Sequence, residues 1–136
     1  LISLSSILNL LLPESQPYKN LFISVDKFLK DLDQKNWAVN YIYWELNLLK
    51  ELGFDPYLEQ FSEDLAESLN YKIIEIDNIK YQVPLFLLRK KNPETIDNKN
   101  ILTGLSFTRN LLSNKFFLPN NLIFPKARII LENYFN

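Results

Sequence analysis

The strongest restriction on the fold comes from residues 37–53, where Trp37, Tyr41, Trp44, Leu48, Leu49 and Leu52 recur at helical spacing and Gly53 follows. Steps of three and four residues bring these side chains onto one stripe of an α-helix. Asn36 offers a side-chain oxygen as N-cap, and Gly53 suits the left-handed position just past a helix end. Burying each ring stabilises by about 2–3 kcal/mol, so an aromatic stripe at this spacing reads as core rather than as a stacking platform. Tyr43 falls off the stripe and is expected to face solvent. Glu45 lies inside the same helix beside Trp44, where a carboxylate calls for a salt bridge or a cap to a neighbouring helix. With no second convergent acid and no nucleophile nearby in the sequence, it does not form a catalytic pair.

Further helical patterns surround this one. Leu1, Leu4, Ile7, Leu8 and Leu11 form a short stripe that stops at Pro13, and Tyr18, Leu21, Phe22, Val25, Phe28, Leu29 and Leu32 form a second after the breaker 13–17. A short helix is expected over 63–69. The β-branched and aromatic runs 71–76 and 79–83 flank Asp77-Asn78, a pair tolerant of positive φ, which predicts a β-hairpin at about 71–83. Leu85 to Arg89 suits a helical turn or two, and the polar stretch at about 90–100 reads as an exposed loop. Two last helices are expected, one through Ile101, Leu105, Thr108, Leu111 and Leu112, the other after Pro125 from Ala127 to Phe135. The predicted fold is mainly α, a bundle of about five helices with a small β-hairpin insertion, packed around Trp37, Trp44, Phe22 and Phe28 as a single helical domain over 1–136.

Composition removes much of enzymology. The chain of 136 residues has no Cys and no His, which excludes disulfides, a Cys/His zinc site, a thiol nucleophile and every triad that needs imidazole. The acidic pairs Asp31/Asp33 and Glu63/Asp64 fall in polar helix ends or loops and read as solvated rather than metal-binding. No metal, cofactor or catalytic residue is expected. A formal charge of -1 gives no global attraction for nucleic acid. No apolar run approaches the roughly 20 residues of a membrane span, so a cytoplasmic chain is expected. With Leu1 first and no methionine anywhere, we read the chain as a piece of something longer.

Three segments, taken together, resemble the C-terminal helical region of the RecO family. The stretch 12–18 followed by Leu21-Phe22 is similar to that family's step between helices, a Pro-Glu pair ahead of a helix opening with Leu-Phe. The run 43–58 is similar to its aromatic-Glu-Leu helix ending in Leu-Gly-aromatic. Phe107-Thr108-Arg109 and Pro125-Lys126-Ala127-Arg128 stand as in that family's last two helices. Many relatives carry a small zinc-binding element where this chain has its hairpin, with a first cysteine just beyond the position of Leu58-Glu59. Gln60 and Phe61 stand there instead, so the hairpin is expected to be held by packing of Ile73, Ile76 and Tyr81. The resemblance implies a bacterial, non-catalytic mediator of DNA repair and recombination. Its partners would be RecR and the acidic tail of the single-stranded-DNA-binding protein. Single-stranded DNA would be gripped mainly by an N-terminal OB-fold that would lie before Leu1.

Arg109, Lys115, Lys126 and Arg128 belong to the last two helices and, beside Phe116, Phe117 and Phe124, form the candidate partner-binding cluster for an acidic peptide or DNA phosphate. Solvated cations near helix ends are the plainer account of the same residues. Arg89, Lys90 and Lys91 form another basic run. Relatives have arginines where Ile42 and Tyr43 stand here, so one source of positive charge is missing. An unrelated helical protein-interaction scaffold and a non-catalytic fragment of a larger enzyme are the alternatives.

Overall fold

The computed structural model describes residues 6–8, 37–61, 70–89 and 96–136. The expected helices over 1–12 and 18–32, the Asn36 cap, Phe22, Phe28, the acidic pairs Asp31/Asp33 and Glu63/Asp64, the helix over 63–69 and the run Lys90-Lys91 lie outside them, apart from the helical residues 6–8, whose Ile7 is fully buried.

Helix α1, Trp37–Glu51, buries the predicted stripe through Tyr41, Trp44, Leu48 and Leu49. It ends as its glycine requires: Gly53 has φ 99°, its N–H donates to the Lys50 carbonyl at 2.9 Å, and the Phe54 N–H donates to the Leu49 carbonyl at 2.9 Å. These two bonds satisfy the terminal carbonyls in a Schellman motif. A 3-10 turn at Leu58–Phe61 follows.

Strands β1, Tyr71–Ile76, and β2, Ile79–Pro84, pair antiparallel as the sequence predicts, with Ile74 opposite Tyr81 and Ile76 opposite Ile79. Asp77 and Asn78 take φ 52° and 67°, the geometry of the favoured two-residue turn. The alternation of a strand decides what packs. Ile74, Tyr81 and Val83 point inward and are buried, whereas Ile73, expected among the packing residues, lies on the other face and is 60% exposed.

Helix α2, Leu85–Arg89, continues straight from the hairpin. Helix α3, Asn98–Leu112, opens three residues before its first apolar position, because Asp97 caps it by accepting the Asn100 N–H at 3.0 Å; the end of the expected loop is therefore helical. α3 is the backbone of the core, with α1 on one side and β2 on another. The α1–α3 approach is close at Gly104, where a Cβ would stand 2.8 Å from Ile42 Cδ1. β2 meets α3 edge to face through Tyr81 and Phe107, ring centroids 5.8 Å apart.

Past Leu112 the helix widens into a π turn, Ser113–Phe117, with the Leu118 N–H donating to the Ser113 carbonyl at 2.8 Å. Asn114 there donates to the Tyr81 hydroxyl at 2.9 Å. Helix α4, Lys126–Asn133, closes the chain, and Trp37 at the start of α1 rests on Phe135 just beyond it, 5.7 Å between centroids.

Candidate functional site

The buried side of α4 is ionic. Its two buried residues are Arg128 and Glu132, while Ile129, Ile130 and Tyr134 are exposed, Ile130 at 67%. Arg128 is fully buried. Its Nε donates to Glu45 Oε2 at 2.7 Å and its Nη2 to Glu45 Oε1 at 2.8 Å, a bidentate pair from α4 to α1. Nη2 also reaches the Leu105 carbonyl of α3 at 2.9 Å, and Thr108 Oγ1 donates to Glu45 Oε1 at 2.7 Å. The Tyr41 ring lies 5.8 Å from the guanidinium carbon. Burial opposes the charge on Arg128, but the Glu45 carboxylate and its hydrogen bonds outweigh that opposition and hold the guanidinium pKa above its ordinary value. The expected ion pair of Glu45 with a neighbouring helix is thus present, with both carboxylate oxygens committed.

A second layer continues to the surface. Arg109 Nε donates to Glu132 Oε2 at 2.7 Å, Ser106 Oγ donates to Glu132 Oε1 at 2.6 Å, and Arg128 Nη1 stands 3.5 Å from Glu132 Oε2.

The four cations singled out in the sequence therefore do not form one surface cluster. Arg128 is a core residue that reaches inward and neutralises the buried Glu45. Arg109 is spent on Glu132 but keeps part of its side chain at the surface. Lys115 pairs with Asp77 at the hairpin tip and sits over the Phe54 ring, 4.7 Å from its centroid. Lys126 is exposed on α4 with no ion-pair partner among the described residues. Phe117 is buried against Phe124, their centroids 4.8 Å apart, and belongs to the packing. The outward row of α4, Lys126 with Ile129, Ile130 and Tyr134, was not picked out from the sequence. The helical spacing of these four residues was its only signal.

Tyr43 is also placed differently from expectation. It is half-buried, its ring edge-on to Phe86 and its hydroxyl donating to the Phe86 carbonyl at 3.3 Å, and desolvation raises its pKa above 10.0. It forms one wall of a groove of about 370 Å³ along α1, lined also by Leu46, Asn47, Lys50, Tyr57 and Leu87.

Among the described residues no group of three acidic side chains gathers to hold a metal, and no helix is long and apolar enough to cross a membrane. The described helices thus lock their buried acid in an ion pair and turn an apolar helix face with one lysine outward. Residues 1–64 match the family model described as recombination protein O C terminal, so this part of the chain is similar to a RecO C-terminal region. The match takes in the segments 12–22 and 43–58. Neither a curated protein nor a solved structure matches the chain.

Proposed function

We propose that the chain is the helical part of a non-catalytic mediator of DNA repair and recombination, working in the cytoplasm. The observation that carries this reading is the family match over residues 1–64. In that role the helices brace a DNA-binding OB-fold elsewhere in the protein and dock RecR and the acidic tail of the single-stranded-DNA-binding protein. The committed carboxylate of Glu45 agrees with a structural rather than a proton-transferring role.

The outward row of α4 is the better seat for the acidic tail than the four-cation cluster. It offers the ammonium of Lys126 in helical register with Ile129, Ile130 and Tyr134, so charge and an apolar anchor are met together. Fluorescence anisotropy of a labelled tail peptide from the cognate single-stranded-DNA-binding protein tests this. Micromolar binding that Lys126→Glu or Ile130→Ala weakens about tenfold is expected. A folded chain that ignores the peptide, or binds it equally well with either substitution, removes the docking site from α4.

A further inference from the structure

We infer that the outer edge of β1 pairs with the same edge of a second copy of this chain, joining two hairpins into one antiparallel sheet. This goes beyond the docking of protein partners at α4 and uses a different element. The sheet is two-stranded, and no third strand pairs with β1 among the described residues. The Leu85 N–H donates to the Asn70 carbonyl at 3.0 Å, one step before the first paired residues, Tyr71 and Pro84. Hydrogen-bonded pairs alternate with unbonded ones along an antiparallel ladder, so it is Lys72, Ile74 and Ile76 that bond to β2. Tyr71, Ile73 and Glu75 therefore turn their N–H and C=O groups to the outer edge. The side chains of the same three residues are exposed, Ile73 at 60% and Tyr71 at 39%.

Such an edge is a template for an extended strand, and β1 does little to blunt it. Its register runs unbroken from Tyr71 to Ile76 without a bulge, it holds no proline before its turn, and its one lysine, Lys72, has its backbone committed to β2. The spacing of the outward groups selects a second copy as the occupant. Two-fold pairing of antiparallel strands sets one residue opposite its own counterpart. Only a centre at Ile73 gives Tyr71, Ile73 and Glu75 each a counterpart within β1; a centre one residue to either side runs one of them past the end of the strand. In that register Ile73 meets Ile73 of the second copy, Tyr71 meets its Glu75, and Lys72 meets its Ile74. No like charges stand opposite, and the exposed isoleucines cover each other. Each pair of outward residues exchanges both of its backbone hydrogen bonds, so every outward group of the edge is satisfied.

Sedimentation velocity of the intact chain across the micromolar range tests this, and a monomer–dimer equilibrium is expected. Proline is tolerated on an edge strand where the N–H it removes faces away from the neighbouring strand, so Ile73→Pro keeps the β1–β2 ladder and abolishes the dimer. Two charge variants read the register without touching the backbone. Tyr71→Lys faces Glu75 of the second copy, whereas Tyr71→Glu sets two carboxylates opposite. The lysine variant is expected to dimerise about tenfold more tightly than the glutamate variant, an order that an unspecific apolar contact would not produce. Should circular dichroism show that Ile73→Pro loses its fold, the charge variants decide alone. A chain that stays monomeric throughout, a dimer that a folded Ile73→Pro leaves intact, or one indifferent to the sign of the charge at position 71 overturns the proposal. None of these results bears on peptide docking at α4, which is read by different substitutions.

Discussion

Gly104 and Tyr43 show how single side chains set the geometry around α1. The missing Cβ at Gly104 lets α3 approach Ile42 and Phe86, which a methyl group would meet at 2.8 and 3.3 Å. Overpacking of this kind costs about 1–3 kcal/mol, and the helix propensity gained by alanine returns about 1 kcal/mol. Gly104→Ala is therefore expected to destabilise by about 1 kcal/mol in urea unfolding, with an unchanged slope; a stabilised variant would mean that the crossing has room to spare. Tyr43 carries a pH dependence. Its folded pKa lies above the 10.0 of the free group because burial opposes the phenolate. The stability it supplies is fully present below pH 10 and is lost as pH rises through the folded pKa. Melting temperatures from pH 9 upward should fall less steeply in Tyr43→Phe than in the native chain.

Among the elements, α4 is the least like an ordinary amphipathic helix. It turns Arg128 and Glu132 inward and Ile129, Ile130 and Tyr134 outward, so its seat depends on the ion network as well as on the packing of Leu131 and Phe135. Leaving one charge of a buried pair without its partner costs about 3–5 kcal/mol, whereas replacing both by apolar groups of similar volume is often neutral. Glu45→Leu and Arg128→Met are each expected to lower stability by that amount, and the double variant to recover most of it. Additive losses in the urea midpoints would show that the pair is not coupled. The hairpin is anchored differently, through Tyr81 on Phe107, Asn114 on the Tyr81 hydroxyl and Lys115 on Asp77. A two-stranded hairpin has marginal stability alone, so these ties to α3 and its π turn help to hold it.

At the scale of the molecule, α3 joins α1, the hairpin and α4, since its residues contact all three. A core shared in this way is expected to unfold as one unit. Thermal melts followed by far-ultraviolet circular dichroism and by the fluorescence of Trp37 and Trp44 should coincide; separated transitions would divide the chain into independent parts.

The sequence by itself determined whatever depends on neighbours along the chain. The stripe of α1, its stop at Gly53, the turn at Asp77-Asn78, the break at Pro125 and the mainly α character with one hairpin all follow from local periodicity and backbone preference. Glu45 was legible as half of an ion pair for the same reason, a carboxylate placed beside Trp44 on an apolar helix. Its partner was not. Arg128 lies 83 positions away, and nothing in its local pattern separates an arginine that reaches inward from one at the surface. The same limit applied to Ile73, whose face depends on which side of the hairpin meets α3, and to Tyr43, whose cover comes from Phe86 on another helix. Only the tertiary structure decided these placements, because they depend on which elements meet across the core, and long-range packing leaves little mark on the residues nearby.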